Sequence, residues 1–182
     1  MTQGAAECPV VLVGLSGAGK STVGPVLAAR LGRPLCDTDA LVAHAAGMPV
    51  PTIFATHGEA TFREREAQAL AEALAGELAV VATGGGIVLR PANRQLLREH
   101  AFVVWLDAPD GLLLARLRTD AEQRPLLGDE AATRLAAMRA ARAPWYAEVA
   151  HVTVETSGLT PETIADQIVA AYTDALVRGR RS

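Results

Sequence analysis

Short apolar runs recur along the chain, separated by longer stretches whose apolar residues return every three or four positions. The runs Pro9–Val13, Leu35–Cys36, Leu78–Ala82, Ala101–Leu106 and Val152–Val154 read as strands. Between and after them, helices are predicted over Gly19–Leu31, Asp39–Ala46, Glu59–Ala75, Pro91–Glu99, Pro109–Leu117, Asp129–Tyr146 and Pro161–Val177. The last is the clearest, with Thr160 as N-cap, Pro161 at the first helical position and Ile164, Ile168, Tyr172 and Leu176 recurring every fourth residue. Strand and helix in alternation imply an α/β fold: a five-stranded parallel sheet covered by helices on both faces.

Two stretches break the pattern. Gly47–Gly58, with Pro49 and Pro51, reads as an irregular substrate-binding insertion within a region spanning about residues 39–63. The polar segment at about 118–130 is long for a connection in a compact α/β domain and reads as a lid. Neither resembles a linker, so residues 1–182 are taken as one domain.

Charge narrows the possible partners. There are 17 basic and 20 acidic residues, giving a net charge of −3 with no long basic run, which argues against a phosphate-neutralising nucleic-acid surface. No apolar stretch approaches the roughly 20 residues a bilayer span needs, and no basic leader precedes Lys20, so a cytoplasmic protein without membrane attachment is expected. Cys8 and Cys36 fit that compartment as reduced thiols.

The chemistry begins at Gly14–Thr22. GLSGAGKST fits the phosphate-loop pattern GxxxxGK[ST] and lies directly after the first strand and before a helix. The backbone N–H groups of Gly17, Ala18, Gly19, Lys20, Ser21 and Thr22 are the expected cradle for ATP phosphates, helped by the positive end of the helix. Lys20 would reach the β- and γ-phosphates, and the Ser21 hydroxyl would ligate Mg²⁺. Lys20 is the only lysine in the chain, every other basic residue being arginine. That also excludes a GTPase, which would need a second lysine in its guanine-reading Asn-Lys-x-Asp.

From Val10 to Ala170 the chain resembles the shikimate kinases. The likeness rests on GLSGAGKSTVG at Gly14–Gly24, DTD at Asp37–Asp39, IFATHGEATFREREAQAL at Ile53–Leu70, TGGG at Thr83–Gly86, RPLL at Arg124–Leu127 and RAPWY at Arg142–Tyr146. It implies a monomeric kinase of the nucleoside-monophosphate-kinase type, strand order 2-3-1-4-5, moving the γ-phosphoryl of ATP to the 3-hydroxyl of shikimate. The alternatives are another small-metabolite kinase such as a gluconate kinase, whose pattern lacks TGGG and FRxxE, and a nucleotide-binding regulator without phosphotransfer.

The resemblance also distributes roles. Asp37 joins the Mg²⁺ shell, though capping the next helix is an alternative. Asp39 bonds the acceptor hydroxyl and takes its proton. Arg63 and Arg142 clamp the substrate carboxylate, while Arg63 also has Glu59 and Glu66 as helical ion-pair partners. Gly84, Gly85 and Gly86 lie against the shikimate ring, Arg116 stacks on adenine, and Arg124 comes over the transferring phosphoryl group. Pro161 covers the other adenine face or simply starts a helix. Arg65 and Arg139 are expected to be solvated helix residues. Asp107 ends a strand resembling a Walker B segment but ranks below Asp37 as a Mg²⁺ residue. His44, His57, His100 and His151 show no ligand spacing. Pro25 should bend or loosen the helix after the phosphate loop, and Trp145 replaces a smaller apolar residue of the family.

Overall fold

The computed structural model describes residues 7–119 and 130–179. Five parallel strands, β1 (Val10–Val13), β2 (Leu35–Asp37), β3 (Val80–Ala82), β4 (Phe102–Asp107) and β5 (Val152–Glu155), form one sheet in the order β2-β3-β1-β4-β5. Position in the sheet explains composition. β1 and β3 are apolar and buried at every residue, as interior parallel strands must be, whereas the edge strands β2 and β5 are partly exposed.

The helices are α1 (Lys20–Leu31), α2 (Thr38–Ala46), α3 (Val50–Ala75), α4 (Pro91–His100), α5 (Asp110–Thr119), α6 (Glu130–Val149) and α7 (Pro161–Gly179). From β1 the chain steps to the β2 edge, and every later step between strands runs the other way. Right-handed crossovers therefore place α1 on one face and α4 and α6 on the opposite one, with α7 returning to pack on α1. The order of β1 and its neighbours also opens a crevice at the strands' carboxyl ends, where the chain direction in the sheet reverses.

Two expectations need correction. Gly47–Gly58 is not irregular: α3 starts at Val50, with Pro49 as N-cap and Pro51 in its first turn. Early helical N–H groups have no intrahelical partner, so proline costs nothing there. The break falls instead at Gly58, whose φ of 79° and ψ of 169° divide α3 into two segments. Both segments pack with α2 around a separate small core of Val42, Ile53, Phe62 and Ala69. Second, α1 runs unbroken through Pro25, which lies on its exposed face, so the missing N–H opens no gap in the core.

Thr160 caps α7 as expected, its Oγ1 accepting from the Thr163 N–H at 3.2 Å. Trp145 is accommodated on α6 beneath the Arg94 guanidinium, 5.0 Å from the ring centre. Both cysteines are free and half-buried, and burial raises each thiol pKa. Among the described residues, no helix is long and apolar enough to cross a membrane. Most of the expected lid, including Arg124, lies outside the described residues.

Candidate active site

The phosphate loop joins β1 to α1 at the crevice. Gly14 turns the chain with φ 142°, and a Cβ there would lie 2.2 Å from the Leu106 carbonyl oxygen, so only glycine lets the loop rest against the end of β4. Gly19 precedes the helix in a left-handed conformation, and its carbonyl accepts from Thr22 and Val23 N–H at 3.1 and 2.8 Å. Lys20 is buried, its Nζ donating to the carbonyls of Gly14 (2.7 Å) and Leu15 (2.9 Å). These bonds keep the ammonium within the loop. Ser21 and Thr22 are exposed beside it in the first turn. Arg116 links the loop to the strand beyond, donating from Nη1 to Gly17 O and Thr156 Oγ1, both at 3.1 Å.

Across the crevice, the glycine run after β3 is packed on both sides. A Cβ on Gly85 would sit 3.4 Å from Gly14 O and Ser16 N of the phosphate loop. On Gly84 it would meet Asp39 Oδ1 at 2.7 Å and Glu66 Oε1 at 2.8 Å, and on Gly86 the Arg63 guanidinium at 2.2–2.5 Å. A side chain at Gly84 or Gly86 would have to push aside the carboxylates of Asp39 and Glu66 or the Arg63 guanidinium; neither glycine needs an unusual backbone conformation. Arg142 reaches the same place from α6, donating to Gly85 O at 3.2 Å. The structure thus gathers Asp39, Arg63, Arg142 and all three glycines at one spot beside Lys20's loop.

Arg63 and Glu66 form a 2.8 Å ion pair in which Glu66 is fully buried. Burial pushes the Glu66 carboxyl pKa up, and Arg63 pulls it back only in part. For Arg63, burial works against the charge, but Glu66 and Glu59 outweigh it and leave the pKa raised. Both helical ion pairs are therefore present, and they orient Arg63 toward the glycines. Asp37 caps α2 through Oδ1, which accepts from Asp39 and Ala40 N–H at 2.9 and 3.0 Å. This cap sets the helix turn that carries Asp39.

Comparison with known proteins decides what this arrangement belongs to. The sequence profile described as "Shikimate kinase" matches residues 16–173. A shikimate kinase of Symbiobacterium thermophilum is 48% identical over 172 residues, 93% of this chain and 99% of that protein. The chain belongs to the shikimate kinase family. The solved shikimate kinase from Acinetobacter baumannii in complex with shikimate superposes with a TM-score of 0.87 at 36% identity, covering 92% of this chain and 94% of that one. A gluconokinase from Sinorhizobium meliloti shares the fold alone, at 19% identity and a TM-score of 0.61. As a member of the shikimate kinase family, this chain is an ATP-using kinase whose activity is shikimate phosphorylation.

Within a shikimate kinase site, several side chains do more than their sequence context suggested. Arg139 is not a solvated helix residue: it ion-pairs with Asp107 at 2.8 Å and with Asp110, and donates to Ala108 O. Periodicity on α6 says nothing about the acids that the end of β4 and the start of α5 bring to it. Asp107 is occupied by that pair and by Ala108 N–H. Arg65 is half-buried, with Nη1 out of solvent.

Glu66 reads from the sequence as an ion-pair partner and as the acid of the FRxxE segment, but neither signal places it against Gly84. Phe54 and Phe62, with ring centres 4.5 Å apart, both lie under the Arg63 guanidinium, and nothing in the chain pattern foretold that. Among the described residues, no group of three His, Cys, Asp or Glu side chains has metal-holding geometry.

Proposed function

We propose in-line transfer of the γ-phosphoryl of ATP to the 3-hydroxyl of shikimate, with ADP as leaving group, alongside the wall formed by Gly84–Gly86. The observation that carries this reading is the double contact of that wall: phosphate loop on one side, Asp39, Arg63 and Glu66 on the other. Donor and acceptor are thereby held as neighbours, which supplies much of the catalysis in phosphoryl transfer.

Gly17, Ala18, Gly19, Lys20, Ser21 and Thr22 hold the phosphates, with Lys20 neutralising charge on the transferred group. Arg63 and Arg142 take the carboxylate as paired guanidinium forks, and Asp39 orients the hydroxyl and accepts its proton. Arg116, already at Gly17 and Thr156, lies against adenine, and Arg124 is assigned by family likeness to the phosphoryl group. Mg²⁺ suits the donors present. One hydroxyl, Ser21, and one carboxylate, Asp37, match an ion that takes its remaining oxygens from phosphates and water rather than from a protein cage. Bound there, it would neutralise charge on the phosphates. Free, half-buried thiols support a reducing, cytoplasmic setting.

A coupled ADP-release assay tests the whole reading. Turnover should require shikimate, with gluconate unable to replace it, and Asp39→Asn should lower kcat by about 100-fold or more with little change in ATP affinity. ADP release indifferent to shikimate would refute the reaction, and full turnover in the Asp39 variant would refute its assigned role.

A further inference from the structure

The carbonyl groups of the glycine run are all engaged, but not alike. Gly84 O accepts from Ile87 N–H at 3.2 Å and Gly86 O from Leu89 N–H at 3.0 Å, both within the short 3-10 turn that follows. Gly85 O takes its donors from α6, far along the chain: Arg142 Nη1 at 3.2 Å and the Tyr146 hydroxyl. A peptide unit is planar, so holding the Gly85 carbonyl also sets the direction of the Gly86 N–H. With glycine on both sides, the backbone itself offers little resistance to rotation of that unit.

Of the two donors, Arg142 is also wanted elsewhere. A guanidinium that turns to bind a carboxylate weakens its bond to Gly85 O. Tyr146 has no such second demand: besides Gly85 O, the side-chain partner at its hydroxyl is Arg142 itself. It is 1% exposed, its ring stacks on Trp105 with centres 5.7 Å apart, and its hydroxyl ends at that carbonyl. It stands one turn beyond Arg142 on the same helix.

We propose that Tyr146 is a positioning residue for the acceptor: its hydroxyl holds the Gly85–Gly86 peptide in place and so releases Arg142 for the substrate carboxylate. This rests on the reading of the glycine run as the shikimate site. Burial pushes the Tyr146 pKa up to about 12, so the hydroxyl remains a donor at every working pH.

Tyr146→Phe keeps the ring and its packing on Trp105 while deleting only the donor. The KM for shikimate should rise about fivefold or more, with the KM for ATP and kcat within about twofold of the unaltered enzyme. Parallel changes in both KM values, or an unchanged shikimate KM, would overturn the proposal.

A second measurement needs no substitution at position 146. Tyr146 and Tyr172 are the only tyrosines, so protein labelled with 3-fluorotyrosine gives two fluorine resonances, assigned with Tyr172→Phe. Shikimate alone should move the Tyr146 signal and leave that of Tyr172, whose hydroxyl is bonded near Cys8 and Arg33, in place. A static Tyr146 signal under saturating shikimate overturns the inference alone. Failure of the unaltered protein to bind shikimate in calorimetry would remove the functional reading beneath it.

Discussion

Glu66 shows how much one side chain's meaning depends on what surrounds it. On a helical wheel it is an ordinary i+3 partner for Arg63, worth a few tenths of a kcal/mol. Fully buried and facing Gly84, it is the near side of a charge pair whose loss leaves a partly buried guanidinium under-compensated. Glu66→Ala should therefore cost about 3 kcal/mol, lowering Tm by roughly 6–10 °C, and should raise the shikimate KM as Arg63 loses its orientation. A thermal melt within two degrees or so of the unaltered protein would show the pair to be dispensable. Lys20 was readable from the spacing of the phosphate loop, and Asp39, Arg63 and Arg142 stood out because the segments that carry them resemble those of the shikimate kinases. Glu66 and Tyr146 lie in the same segments, but their importance comes from burial and from contacts across the crevice.

Asp37 illustrates the same issue for an element. Its carboxylate begins α2, and that helix in turn presents Asp39, so the observed cap and the proposed metal role fall on one residue. Asp37→Asn separates them, since asparagine caps about as well as aspartate but carries no charge. Tm should stay within about two degrees while the Mg²⁺ concentration needed for half-maximal activity rises several-fold, as read by titration of the ADP-release assay. A loss of Tm with unchanged Mg²⁺ demand would reduce Asp37 to a cap. Most strands and helices were legible from the apolar pattern, because interior strands are continuous runs and amphipathic helices repeat at 3.6. The first half of α3 was not. Two prolines near Gly47 look like loop chemistry until the helix is seen to begin beneath them, with the break displaced to Gly58.

At the scale of the whole molecule, a pH response is expected from the opposite end of the sheet to the site. His151 closes the β4–β5 pairing there: its Nδ1 accepts from Val103 N–H at 3.1 Å, and its backbone N–H donates to Val103 O at 2.8 Å. Burial lowers its pKa. The unfolded chain thus takes the proton more readily than the folded one, so stability is lost as pH falls from about 6.5 toward the lowered folded value. Melting curves between pH 7.5 and 5.5 should fall more steeply for the unaltered protein than for His151→Asn, and identical slopes would discount the histidine. At this scale, the chain alone established the α/β class and the phosphate loop, because those follow from local periodicity and from a short motif whose spacing is itself the mechanism, while the kinase activity and its substrate were legible only through the chain's resemblance to the shikimate kinases. Folding decided the rest: that both Asp39 and Glu66 face Gly84, why Arg139 clasps the end of β4 and the start of α5, and what holds the Gly85 carbonyl. Such facts depend on distances between residues far apart along the backbone, and no local pattern encodes a distance of that kind.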